Sequence, residues 1–298
     1  MAKKKSSLTK IISVLLVLAL IGGALFYEFV INSNGSGDIS EAVFSVHVID
    51  VGQGDSILVR SGDKTMLIDA GPKSAKNEVE RYLKQNEITK LDYVIATHPH
   101  EDHIGGMEHI LERFEYETVI MPNVTHTSQT YLSLLEKIDA DNKGITEAKS
   151  GDVYTLGEAT FKILAPNSDK YVEKNDYSVV IKLTFKGKSF ILSGDAEKIS
   201  ENEMVQKYGK ELNCDVYKVG HHGSDSSTDE IFLAMMSPKY AVVSCGRENM
   251  YKHPSEKVVK RIKSSGATLY QTFEDGTVIF FITENGALNV TTKGSESV

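Results

Sequence analysis

The chain has 298 residues, 41% of them apolar, and a formal net charge of −8. That suffices for one sizeable globular core or two small ones. The first 31 residues carry four lysines and one glutamate, so the acidity lies in the remainder. This excludes nucleic-acid binding by bulk charge, and a nucleic-acid substrate would need local basic groups or metal ions.

Residues 1–10 form a basic segment with Lys3, Lys4 and Lys5. Residues 11–31 then run without charge from Ile11 to Tyr27. That run is long enough to span a bilayer, and the lysines stay on the cytoplasmic side. The expectation is a single-pass membrane anchor with the body outside the cell; the alternative is a signal peptide, cleaved to release a secreted protein. Residues 32–42 are polar and rich in Gly and Ser, a flexible linker.

Folding begins near Val43, where Phe44, Val46 and Val48 alternate as in a strand. A Gly-punctuated turn, Asp50 to Ser56, follows. A hairpin then forms from Ser56 to Arg60 and Thr65 to Ile68. Val79, Tyr82 and Leu83 mark a helix. Tyr93-Val94-Ile95-Ala96 reads as a buried strand, and it delivers Thr97-His98-Pro99-His100-Glu101-Asp102-His103-Ile104-Gly105-Gly106. A helix over Ile110 to Phe114, a strand over 118–121 and a helix over Tyr131 to Ile138 come next. The second half offers strands at 160–164, 179–185, 189–193, 216–219, 240–244, 269–270, 277–282 and 288–291. Its helices run from Ala196 to about Tyr208, over 228–236, and around Val258 to Ile262. Residues 293–298 are a polar tail. Strands and helices alternate in two halves with no low-complexity linker, so residues 43–292 are expected to form one α/β domain, a four-layered αββα sandwich. Cys214 and Cys245 lack Cys-x-x-Cys spacing and read as buried free thiols.

The chemistry concentrates in 98–103. Three imidazoles and a carboxylate stand within six positions at a strand's C-terminal end, where an open α/β sheet places its ligands. Imidazole suits zinc, and carboxylates extend such a site to a second ion. Five of the nine histidines lie in this motif and in Gly220-His221-His222-Gly223-Ser224.

Asp50-Val51-Gly52-Gln53-Gly54-Asp55, Leu67-Ile68-Asp69-Ala70-Gly71, the histidine motif, Ser193-Gly194-Asp195 and Gly220 to Ser224 occur in this order. Together they resemble the metallo-β-lactamase fold superfamily. Within it, they are similar to the extracellular hydrolase domain of ComEC competence proteins. The resemblance implies two divalent ions, zinc first and manganese second. His98 and His100 would hold the first ion, and Asp102, His103 and His222 the second. Asp195 would bridge them. Neighbours on a strand face opposite ways, so only one of His221 and His222 is expected to meet the metals, and His222 is preferred because Gly223 beside it lets the backbone turn in close. Asp69 and His221 would stand behind the ligands. Asp50, Gln53 and Asp55 are candidates for the pocket floor, the alternative being simple turn chemistry.

The pattern departs from the family at one point. A further histidine for the first ion is missing between the motif and Asp195, where only His109 and His126 occur. Asn175 and Asp176 stand at the corresponding place, with water, Asn175 or Asp176 expected to fill in. The expected activity is metal-dependent hydrolysis by a metal-bound hydroxide. Asp102 would orient the hydroxide, and His253, before Pro254, would stabilise developing charge. The resemblance favours phosphodiesters, either nucleic acid or a wall polymer, although the acidic body argues against long DNA. The alternatives are a lactone, lactam or thioester hydrolase and, in another class, a non-catalytic metal-stabilised binding module at the cell surface.

Overall fold

The computed structural model describes residues 38–294. The segments read as basic leader and membrane anchor lie outside them. Among the described residues, no helix is long and apolar enough to cross a membrane. The chain divides into two units at Glu41/Ala42. Of the first, only residues 38–41 are described, and Ile39–Glu41 form a 3₁₀ turn.

In the second unit the elements run in chain order: β1 (Ala42–Val48), β2 (Ser56–Ser61), β3 (Lys64–Ala70), α1 (Lys76–Gln85), β4 (Lys90–Ile95), α2 (Glu101–Ile104), α3 (Met107–Leu111), β5 (Glu115–Met121), α4 (Gln129–Ala140), β6 (Ile145–Glu147), β7 (Val153–Leu156), β8 (Ala159–Ala165), β9 (Val180–Phe185), β10 (Lys188–Leu192), α5 (Lys198–Tyr208), β11 (Val216–Lys218), α6 (Glu230–Met236), β12 (Tyr240–Val243), α7 (Glu256–Ser264), β13 (Thr268–Gln271), α8 (Thr272–Asp275), β14 (Thr277–Thr283) and β15 (Leu288–Lys293). They build two mixed sheets, ordered β15-β14-β1-β2-β3-β4-β5-β6 and β13-β12-β11-β10-β9-β8-β7.

The alternation of β1 sends Phe44, Val46 and Val48 into the layer between the sheets. There they join Ile57, Met66 and Ile95 of the first sheet and Phe161, Ile181 and Phe190 of the second. The outer face of the first sheet (Leu58, Leu67, Val94) is covered by Val79 and Leu83 of α1, Met107 and Ile110 of α3, and Leu134 and Ile138 of α4. The outer face of the second (Ile191, Tyr217, Ala241) is covered by Met204 of α5, Phe232 of α6, and Val258 and Ile262 of α7. The result is a helix–sheet–sheet–helix sandwich with three apolar interfaces. Helix starts follow local capping chemistry. Ser128, Asp229 and Ser255 accept hydrogen bonds from the backbone N–H groups of Tyr131, Ile231 and Val258.

Several boundaries move. Ala42, assigned to the linker, pairs with Thr283 in the sheet, and Lys293, assigned to the tail, pairs with Thr277. The short strands β6 and β7 went unread because they lie at sheet edges and are largely exposed, so they carry no buried alternation. Residues 220–223 are not the end of a strand. β11 stops at Lys218, and the chain makes a 3₁₀-like turn in which His221 (φ 45°) and His222 (φ 52°) are both left-handed. The rule that strand neighbours face opposite ways therefore does not apply to them. Both cysteines are free and buried.

Candidate metal centre

The polar residues named above converge where chain segments leave the C-terminal ends of β3, β4, β10 and β11. β4 is parallel to β3 and β5, and β10 to β11, with β11 parallel to β12, so these ends point the same way within each sheet. β3 contributes Asp69, the turn after β4 contributes Thr97 to His100, and α2 adds Asp102 and His103. Asp195 follows β10, and His221 and His222 follow β11.

The hydrogen bonds fix how each imidazole is turned. Asp69, fully buried, accepts from the Thr97 N–H at 2.8 Å, the Thr97 hydroxyl at 2.6 Å and His103 Nδ1 at 2.7 Å. The Thr97 hydroxyl has given its one proton to Asp69, so its 3.1 Å contact with His98 Nδ1 is one in which His98 donates. His222 Nδ1 donates to the Ser244 carbonyl at 2.8 Å. Anchoring Nδ1 leaves Nε2 free, the arrangement by which ligating histidines are oriented.

The free nitrogens meet around Asp195. His103 Nε2 lies 3.2 Å from Asp195 Oδ1. His222 Nε2 and His98 Nε2 lie 3.5 and 3.8 Å from Oδ2. His103 Nε2 faces His222 Nε2 at 3.3 Å, and His98 Nε2 faces His100 Nδ1 at 3.0 Å. Asp102 Oδ2 is 3.2 Å from His222 Nε2. Among the described residues, none makes a hydrogen bond to the buried Asp195 Oδ1.

The electrostatics call for positive charge. Burial pushes His103 and His222 toward the neutral form, but the carboxylates overcome it, Asp195 foremost. His222 is drawn up to about 10, and His103 well above its ordinary value. Burial raises Asp195 and Asp102, and the same two histidines, His103 first, outweigh it and hold both below the usual carboxylate range. His98, held well below its ordinary value by burial and then by His103, stays neutral. Inward-facing imidazole nitrogens, a partnerless buried carboxylate oxygen and an anionic field fit divalent cations.

The remaining candidates fall elsewhere. Asp55, His103, Asp195 and His222 present ligand-type atoms within 4.8 Å of one another. Yet Asp55 approaches His222 from Nδ1, at 3.5 Å, and pairs with Lys218 Nζ at 2.8 Å. Gln53 accepts from the Gly246 N–H. The Asp176 carboxylate caps α5, accepting from Glu197 N and Ser200 N at 3.2 Å each; it is turned to that helix. Asn175 donates from Nδ2 to Glu197 at 3.1 Å, and its Oδ1 is buried with no hydrogen-bond partner among the described residues. His109 pairs with Glu80, and His126 bonds Ser128. His253 sits at the rim, its ring 5.5 Å from that of His221. Burial and then His221 bring its pKa down to about 4. Gly223 lets this loop approach: it has φ +81°, and a Cβ there would lie 2.5 Å from Pro254 Cβ.

Lys218 and Glu197 were not foreseen. Lys218 is wholly buried, and a lone lysine between Val216-Tyr217 and Val219 in a strand was the available signal. Glu197 follows Asp195 by two positions and left no pattern.

Residues 49–247 match the model of the metallo-β-lactamase superfamily, and the chain belongs to that family. Within it, the chain is similar to ComE operon protein 3 of Bacillus subtilis, 32% identical over 78% of this chain and 32% of that protein. It is also similar to competence protein ComA of Neisseria gonorrhoeae, 30% identical over 83% of this chain and 34% of that protein. The resemblance to ComEC proteins thus covers most of the folded unit, while the chain spans about a third of the length of these relatives. Among solved structures, CmlA, a diiron β-hydroxylase from Streptomyces venezuelae, shares the fold with a TM-score of 0.52 at 14% identity, over 77% of this chain and 52% of that one.

Proposed function

We propose that this metallohydrolase is a phosphodiesterase that works with two divalent cations outside the cytoplasmic membrane. His98, His100, Asp102, His103, Asp195 and His222 would hold the ions, zinc or manganese. When bound, such a pair activates water near neutral pH and stabilises the attacking and leaving oxygens of a displacement. The chain's own residues do the rest. Asp69, Thr97 and Ser244 lock the imidazoles, Asp102 offers an acceptor at the mouth, and His253 offers an N–H to an anionic oxygen.

The observation that carries the phosphodiester reading is a groove of about 810 Å³ whose lining includes His253, Arg247, Lys252, Lys260 and Lys263, with Glu256 and Glu274. On α7, Lys257 and Arg261 are paired with Asp225 and Glu230, while Lys260 and Lys263 face the groove. A local basic track on an acidic chain supports a substrate with several phosphates. Tyr251, 61% exposed, stacks on His253 at 5.7 Å and extends a flat surface beside it.

The test is hydrolysis of bis(p-nitrophenyl) phosphate by the full chain loaded with zinc or manganese. The expectation is turnover that His100→Ala abolishes. Turnover of nitrocefin or an acyl-lactone with none of the phosphodiester would overturn the reading in favour of acyl transfer. Recovery of the shortened protein from the medium, rather than the membrane fraction, would overturn the anchor.

A further inference from the structure

We propose that His221 is a direct ligand of the first metal ion, filling the place for which the sequence provides no other histidine. The proposal rests on the two-metal reading of the site, and on three observations about His221 itself.

The first is backbone. His221 (φ 45°, ψ 48°) and His222 (φ 52°, ψ 24°) are consecutive left-handed residues, a conformation that L-residues with a Cβ adopt rarely and at a cost. It lets one turn present both imidazoles to one carboxylate. His221 Nε2 lies 3.8 Å from Asp195 Oδ2, the same oxygen that His222 Nε2 approaches at 3.5 Å and His98 Nε2 at 3.8 Å.

The second is the turn of the ring. His221 Nδ1 donates to Glu197 at 2.9 Å, with Ser226 Oγ at 3.1 Å. Glu197 is itself held by Asn175 Nδ2 at 3.1 Å and the Ser226 hydroxyl at 2.9 Å. This repeats the wiring of the other histidines: Nδ1 anchored by Thr97, Asp69 or Ser244 in His98, His103 and His222, and Nε2 aimed at Asp195. A carboxylate behind Nδ1 is the usual partner of a ligating imidazole.

The third concerns Asn175. Its Nδ2 lies 3.4 Å from both ring nitrogens of His221. Equal distances place the amide across the ring, not along the Nε2 lone pair, so that lone pair stays available. Asn175 Nδ2 thus supports Glu197 and leaves the His221 Nε2 lone pair open, while Asn175 Oδ1 is itself buried with no hydrogen-bond partner among the described residues.

The experiment is metal titration of chelator-stripped full-length protein, read by calorimetry and by the cobalt(II) absorption spectrum, with thermal melts to verify folding. Wild type is expected to bind two equivalents. His221→Ala is expected to keep one tight equivalent while the other weakens about 100-fold. Glu197→Gln, which keeps the ring, should weaken the same equivalent about 10–100-fold. His109→Ala should match wild type. Two unweakened equivalents in folded His221→Ala would overturn the proposal, as would wild type that binds fewer than two. Should His221→Ala fail to fold, unchanged affinities in Glu197→Gln overturn it. Wild type that binds two ions, with one lost in His221→Ala, but cleaves no phosphodiester would leave the ligand assignment standing and defeat the substrate reading alone.

Discussion

Replacing Lys218 by methionine tests whether the floor of the site is held by one ion pair. Lys218 Nζ lies 2.8 Å from Asp55 Oδ2 and donates to the Val219 carbonyl at 2.7 Å. The two side chains are 0% and 2% exposed. At an effective dielectric of 20, unit charges at that separation attract by ~6 kcal/mol. Desolvation costs several kcal/mol per ion and offsets most of this, so the intact pair is close to neutral for stability. Removing one partner is another matter. Burial alone would raise Asp55, and Lys218 is the largest influence holding it down, ahead of His222. Lys218→Met leaves a buried carboxylate whose remaining cationic influences are His222, with Nδ1 at 3.5 Å, and then His103. The expected loss is about 3–5 kcal/mol. In a domain of this size that lowers Tm by roughly 10 °C. Urea unfolding of chelator-stripped protein, followed by far-UV circular dichroism, measures it without the contribution of metal binding. The double variant Lys218→Met/Asp55→Asn, which removes both charges, should recover at least about half of the loss. A single variant within about 1 kcal/mol of wild type, or a double variant no more stable than the single, would refute this account of the floor.

Two further outcomes follow from the geometry. A Cβ on Gly54 (φ +142°) would lie 2.2 Å from the Asp102 carbonyl oxygen, whereas one on Gly52 meets nothing within 4 Å. Gly54→Ala should cost about 1–3 kcal/mol and displace Asp102 enough to weaken metal binding about tenfold or more; equal affinities in Gly54→Ala and Gly52→Ala would count against it. His47, bonded to Tyr82 and Ser45, is brought down to about 3 by burial and then by Arg60. Between pH 6.5 and 3 the unfolded chain therefore binds a proton that the folded chain refuses. Stability from this group is complete above 6.5 and falls by about 1.4 kcal/mol per pH unit below it. The acid limb of the stability curve should be shallower by that slope in His47→Gln, and parallel limbs would show that His47 accepts the proton while folded.

What was legible in the sequence was what periodicity and motif order encode. The alternation Phe44, Val46, Val48 and the helical spacing of Tyr131, Leu134 and Ile138 report burial directly, and the two cores they enter are the ones observed. The metal candidates were legible because histidines and carboxylates at strand ends are few. Edge strands β6 and β7 were not, since exposure leaves no alternation to read. Nor could the sequence reveal what Asp176 does. Its neighbours suggest a ligand near Asp195, but its carboxylate accepts from N–H groups at the start of α5, a helix that begins 22 residues further on.

The strand rule fails at His221 and His222 for a physical reason. Period-two reasoning assumes that each residue takes the extended backbone of the strand before it. Three site residues break that assumption: Asp69 (φ 57°), His221 (φ 45°) and His222 (φ 52°) are all left-handed without being glycine. Such positions cost of order 1–3 kcal/mol each and persist only where the surroundings over-determine them. Here the surroundings do so. Asp69 accepts three hydrogen bonds from the histidine turn, His222 is tied to Ser244, and His221 is tied to Glu197. Local backbone rules fail where side chains must meet at one point. The strained turn after β11 thus marks the position at which two histidines, not one, are brought to Asp195.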